Sequence, residues 1–195
     1  MSIIRTEQPA TSLPGLPPAG GVLICGLILR VSDAMIAAVM GDMIRYFQGD
    51  VRRINHALKV FDFACLISRE TGTTPEEHRI IGICGLLHDI GIVEAERKYH
   101  SSSGRYQETE GPPVARVLLS SYGLDEAILD RICFIIGNHH SYPAIDGIDF
   151  RILVEADLIV NIFEDSMGRE TVQRLKEKVF RTESGIRLLD GMYLG

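Results

Sequence analysis

The sequence predicts an all-α protein, and three observations carry that expectation. From residue 32 onward, apolar residues recur at helical spacing. Capping residues stand at the heads of most of these stretches. No stretch shows convincing alternation of apolar and polar residues between Gly or Asn turns, the pattern a half-buried strand would leave. The 195 residues are 46% hydrophobic and 24% charged. That is enough for one domain with a full core, and it excludes wholesale disorder.

The elements follow in order. Residues 1–30 read as an N-terminal arm ahead of a single helical domain over 31–195. Pro14, Pro17, Pro18 and the Gly20-Gly21 pair interrupt regular structure there. Ser32 caps a first helix to about Phe47. Gly49-Asp50 breaks the chain, and Asp50 caps a second helix over 51–69. Thr74-Pro75-Glu76-Glu77 combines a capping box with proline at the first helical position, and opens a helix that reaches His88 and stops near Gly91. Residues 92–109 are polar and read as a long irregular loop, suited to a lid over a site. Helices are then expected over 112–121 and 125–138, with a turn at 141–147. Asp149 caps a helix over 150–163, and an amphipathic stretch over 170–180 reads as the last helix.

Charge and composition exclude several functions. Twenty basic against twenty-six acidic residues give −6, a poor footprint for a nucleic-acid polymer. The best apolar run, residues 22–29, is far short of the ~20 residues a membrane span needs. Arg5 is followed by Glu7 and a proline-rich stretch, which does not resemble a secretion signal. Cys25, Cys65, Cys84 and Cys133 are scattered, with no Cys-x-x-Cys knuckle, so a reduced, cytoplasmic protein is expected. Met35, Met40 and Met43 read as core or partner-contact residues, and the arm and first helix could support a homodimer.

The chemistry lies where ionisable residues occupy positions that the apolar pattern would bury. His56 shares a helix face with Val60, Phe63 and Ile67. Gly85-Leu86-Leu87 runs into His88-Asp89, and Ile132, Ile135 and Ile136 lead to His139-His140. Asp157 sits in the middle of a helix that is apolar nearly all round. A buried carboxylate without a partner costs several kcal/mol at least. Few Arg or Lys residues reach these faces, whereas His does so repeatedly. Imidazoles and carboxylates converging in a core are ligands for iron, manganese, zinc or magnesium. A salt-bridge and hydrogen-bond network without an ion is the alternative.

His56, then His88-Asp89 within LLHDIG, then Asp157 within VEADLI, resembles in order and spacing the HD domain superfamily of metal-dependent phosphohydrolases, over about residues 50–165. The resemblance implies an HD-type helical bundle and a divalent ion held by His56, His88, Asp89 and Asp157. It also implies that Asp89 touches both the ion and the attacking water. Arg53 and Lys59 are common features of such domains and are candidates to bind phosphate, with Arg97 and Lys98 in the loop behind them. Catalytic roles fall to Asp89, His139 and Lys59. Some branches use a histidine pair for a second ion, so His139, His140 and Glu110 are candidates for a second ion or for substrate. Those branches carry a further histidine where this chain has Gln107, and cyclic-dinucleotide phosphodiesterases usually have Lys where it has Ile92. One ion is therefore expected, with a second left open. Ligand type does not choose among Fe, Mn, Zn, Co, Ni and Mg.

The function implied is hydrolysis of a small soluble phosphate ester, a nucleotide or related phosphomonoester. Two alternatives stand beside it: a di-iron oxygenase of the same fold, and a non-catalytic metal-bearing domain used for binding or signalling. His78 reads as solvated, His100 as a loop residue, and Glu108 as charge at a helix start.

Overall fold

A computed structural model describes residues 22–195, with side chains from residue 34 onward. The described residues form α1 (Val22–Phe47), α2 (Val51–Thr71), α3 (Pro75–Leu87), α4 (Ile92–Tyr99) and α5 (Gly104–Leu119). After these come α6 (Glu126–Ile136), α7 (Ile148–Glu164), α8 (Arg169–Lys178) and α9 (Glu183–Leu189). No strand occurs among them, so the protein is all-α. Residues 1–21 of the expected arm lie outside the described residues, and α1 begins at Val22, ahead of the cap expected at Ser32.

Two sequence signals translate directly into geometry. Asp50 caps α2 by accepting from the Arg53 backbone N–H. Thr74 and Glu77 close a reciprocal capping box on α3, with Pro75 at the first turn. Helices α3 and α7 form the centre. Ile81, Ile83, Leu87, Phe150, Leu153 and Ile159 are fully buried, each contributing on the order of 1.5–3 kcal/mol of transfer free energy. Helix α2 packs against both α3 and α7.

Glycine permits the closest approaches. A Cβ on Gly85 would sit 2.9 Å from the Phe61 Cα, so α2 and α3 meet backbone to backbone beside His56 and His88. One on Gly91 would sit 2.5 Å from the Gln107 carbonyl oxygen and the Gly111 nitrogen, which draws α5 onto the turn carrying Asp89.

Four expectations are corrected. Residues 92–109 are not a long loop: α4 occupies 92–99 and only residues 100–103 separate it from α5. Helix α4 buries just Ile92 and Ala95 and is braced by Arg97 bonding Glu94 one turn back, too narrow an apolar stripe to stand out. Helix α5 starts at Gly104 and carries Pro112 and Pro113 inside it, although proline denies the carbonyls one turn back their donors. Asp149 does not cap α7; Gly147 holds that position. Asp149 is buried instead and takes two bonds from the Arg131 guanidinium, at 2.8 and 2.6 Å. Finally, α9 follows α8. Buried Glu155 accepts from the backbone N–H groups of Arg181 and Thr182, at 2.6 and 3.1 Å, and pins the entry to α9. A carboxylate inside an apolar helix, here as at Asp157, marks a partner elsewhere in the chain.

No helix among the described residues is long and apolar enough to cross a membrane. Cys65, Cys84 and Cys133 are free thiols. His78, expected to be solvated, is half-buried and hydrogen-bonded to Ser68 Oγ at 2.8 Å.

Candidate metal centre

Four segments converge at one end of the bundle. Helix α2 supplies His56, the turn after α3 supplies His88 and Asp89, α7 supplies Asp157, and the turn after α6 supplies His139 and His140. His56 Nε2 lies 3.1 Å from His88 Nε2 and 3.2 Å from Asp157 Oδ1; His88 Nε2 lies 3.6 Å from the same oxygen. Asp89 stands between two groups. Its Oδ2 is 3.8 Å from His56 and 3.7 Å from His88, and its Oδ1 is 3.3 Å from His139 Nε2. Two clusters result, His56–His88–Asp157 and Asp89–His139–His140, each with one ligand atom per residue within 4.8 Å of the others.

The outer nitrogens decide what the inner ones can do. His88 Nδ1 donates to the Gly85 carbonyl at 3.1 Å and His139 Nδ1 to the Ile136 carbonyl at 2.8 Å. His56 Nδ1 donates to Glu164 Oε2 at 3.1 Å. With its one proton placed outward, each neutral ring turns an Nε2 lone pair inward. Two such lone pairs and an Asp157 oxygen then face one another, and the mutual repulsion calls for a cation or a proton between them. These residues therefore fit a divalent ion in the first cluster: two borderline nitrogens, carboxylate oxygens and outer bonds that fix the tautomers.

The electrostatics agree. Burial opposes the charged form of His56, yet the Asp157 hydrogen bond and the carboxylates of Asp157, Asp89 and Glu164 raise it to about 9. His88 is likewise raised by Asp89 and Asp157 despite complete burial. Burial would raise Asp157, but the two imidazoles hold it well below the usual carboxylate range. Only one proton fits between two Nε2 atoms 3.1 Å apart, so the histidines share it. His140 moves the other way, pushed down to about 4 by desolvation and by His139.

The clusters open onto a cavity of about 620 Å³ whose lining includes Arg52, His56, Asp89, Gln107, His140 and Asp157. Both cations expected to read phosphate are engaged by carboxylates. Arg53 bonds Glu96 at 2.6 Å and Asp50 at 3.0 Å, and Lys59 bonds Glu164. Arg97 is bound to Glu94. Arg52, which the sequence did not single out, lines the cavity and has no carboxylate partner among the described residues.

Glu110 is not brought to either cluster. It is buried, takes bonds from Lys98 at 2.5 Å and the Tyr99 hydroxyl at 2.9 Å, and faces a different cavity. Its neighbour Glu108 reaches the second cluster instead, accepting from the His140 backbone N–H at 3.1 Å. Gln107 donates to the Ser102 carbonyl at 2.7 Å, while its own amide oxygen is buried without a partner. Glu164 and Asn161 were missed. Asn161 donates to Asp157 Oδ1 at 2.9 Å. Their positions four and seven residues after Asp157, on the same helix face, were the available signal.

Fold and cluster together define a helical protein with a buried His56–His88–Asp157 group that could hold a cation, and with Asp89 beside it. A family model described as HD domain matches residues 53–184, and the chain belongs to the HD domain family. The structure is similar to that of a predicted HD superfamily hydrolase from an uncultured Thermotogales bacterium. The TM-score is 0.59 at 20% identity, covering 80% of this chain and 83% of that one; at that identity the likeness speaks for the fold alone. No curated protein matches the chain.

Proposed function

We propose that the protein is a divalent-metal-dependent phosphohydrolase acting on a small soluble phosphate ester, a nucleotide or related phosphomonoester. The observation that carries this reading is the inward convergence of the His56, His88 and Asp157 ligand atoms beside Asp89, whose second oxygen faces the open cavity region of His139 and His140. His56, His88, Asp89 and Asp157 would hold a divalent ion, which would supply Lewis acidity to make water nucleophilic near neutral pH and to polarise a phosphoryl oxygen. Asp89 accepts the proton of the attacking water and orients its lone pair. Arg52 meets the phosphate at the rim and neutralises charge as it develops. His139, its Nε2 lone pair turned to Asp89 at 3.3 Å, takes up that proton and passes it to the leaving oxygen.

Charge on the walls supports the metal requirement. Asp50, Asp89, Asp157, Glu164 and Asp165 line the cavity against Arg52 and Arg53. An anionic ester enters only once cations offset that excess. A volume of about 620 Å³ falls within the range of pockets that take small molecules.

The test is elemental analysis of anaerobically purified protein, paired with a phosphate-release screen on nucleotides and phosphomonoesters. About one ion per chain with metal-dependent phosphate release is the expected result. The second cluster keeps the di-iron oxygenase as a rival; two irons per chain with oxygen consumption and no phosphate release would replace our reading with it. Full metal loading with neither activity would favour a binding module.

A further inference from the structure

We propose that Glu164, steered by Lys59, is a positioning residue for His56, and that this contact sets the affinity of the first cluster for its ion. The inference rests on the metal-centre reading above and not on the choice of substrate.

Three inward-facing imidazoles are held from behind, and only one of them by a side chain. His88 and His139 lean on the carbonyls of Gly85 and Ile136, each three residues back in the same segment. Those acceptors cannot move independently of the ring they hold. His56 leans on Glu164 Oε2, 108 positions away on another helix. A glutamate has several rotatable bonds, and Glu164 also lines the cavity. Left untethered, it could turn inward and leave the imidazole free to rotate.

Lys59 removes that freedom. Its ammonium holds Glu164 Oε1, so one oxygen of the carboxylate is anchored and the other is presented to His56. The register makes this a two-level contact between α2 and α7. His56 and Asp157 meet at one level; Lys59, three residues on, and Glu164, seven residues on, meet at the next. A plain interhelical ion pair would need only the Lys59 contact. The second oxygen on the imidazole distinguishes a support for the ligand from a surface pair. Lys59 thereby acts behind the ion, through Glu164.

The experiment is titration of the metal-free full-length chain with Co²⁺, read by its visible absorption, alongside thermal melting. The variants are Glu164→Ala, Glu164→Gln and Lys59→Met. The control is Asp149→Asn, which breaks a carboxylate–guanidinium pair on the same helix outside the cavity. Glu164→Ala should lower Co²⁺ affinity about 10- to 100-fold, the usual cost of losing a group that orients a metal ligand, and should change the Co²⁺ spectrum. Glu164→Gln keeps an acceptor oxygen and should fall between wild type and Ala, as should Lys59→Met. The control should melt earlier with Co²⁺ affinity unchanged. If Glu164→Ala does not fold, the isosteric Glu164→Gln carries the reading. Wild-type Co²⁺ affinity and spectrum in the Glu164 variants, with only the melting point lowered, would overturn the proposal. A wild-type chain that binds Co²⁺ but hydrolyses no phosphate ester would overturn the proposed function and leave this inference standing.

Discussion

His56 and His88 are buried, and each has its outer nitrogen tied to an acceptor and its inner one aimed at Asp157. Across Asp89, His139 is built in the same way, but its neighbour His140 keeps part of its surface in solvent while its ring lies against Gly104. The His140 ring lies 3.9 Å from that of His139, centroid to centroid, and makes no hydrogen bond among the described residues. Both histidines of the first cluster are thus fixed by a second contact, and only one of the two in the second cluster is. Organisation of this kind is what separates a tight site from a weak one, because a ligand that must be ordered on binding charges its entropy against affinity. Similar residue types in neighbouring clusters do not make equivalent sites.

Asp89 joins the clusters, so removing it should have the largest effect. Asp89→Ala should abolish metal retention and turnover, by elemental analysis and phosphate release, while circular dichroism shows most helicity intact. Wild-type metal content in that variant would separate Asp89 from both clusters. Histidines alone would then hold the ion with Asp157.

Proton competition should distinguish the clusters next. Metal-free His56 holds a proton up to about pH 9, and an ion must displace it. Affinity at the first cluster should therefore fall as pH drops below 9, by up to tenfold per unit for one displaced proton, and level off above 9. Metal-free stability runs oppositely. A raised histidine pKa stabilises the fold fully below the unfolded value near 6.5, and that stabilisation disappears as pH rises through 9. Chemical denaturation of the metal-free chain from pH 6 to 10 checks this half. His140, pushed down to about 4, is neutral throughout the range and offers no proton to displace. A pH-independent first affinity would mean that the shared proton is absent.

Gln107 is where the weaker cluster can be strengthened. Its amide hydrogens are held by Ser102 and its oxygen is buried without a partner beside the cavity. Gln107→His should raise metal stoichiometry at the second cluster and leave first-site affinity unchanged. Unchanged stoichiometry would mean that α5 does not place this position within reach of Asp89.

The sequence revealed the first cluster well and its surroundings poorly, for a physical reason. His56, His88 and Asp157 interrupt apolar helix faces, and such interruptions are visible in one dimension. Capping at Asp50 and Thr74 depends on neighbours three residues away, so it is visible too. What failed was long-range or weakly patterned. The polar helix α4 shows little apolar stripe, and the partners of Lys59 and Glu110 lie on other segments. The family resemblance offers Lys59, on the His56 helix, as a phosphate ligand; the carboxylate that meets it lies 105 positions later. The Gly91 contact with α5 likewise became apparent only once both elements were placed.

The smallest expected effect concerns Asn161. It donates to Asp157 Oδ1, the oxygen that also faces His56 and His88. That bond orients the carboxylate but draws electron density from a ligand atom, so its removal has two opposing consequences. Losing orientation weakens binding, whereas freeing a lone pair strengthens it. Asp157 lies within a buried helical stretch between Ala156 and Leu158, and packing limits its rotation even without Asn161. The net change for Asn161→Ala should therefore be a few-fold loss of Co²⁺ affinity, less than the ~1.5–3 kcal/mol of a hydrogen bond to a charged group because the two consequences offset, and smaller than for Glu164→Ala. Equal losses in the two variants would mean that the ligands of the first cluster are positioned chiefly by side-chain bonds. A gain in affinity would show that Asn161 competes with the ion for Asp157, and that the burial of α7 alone suffices to aim the carboxylate.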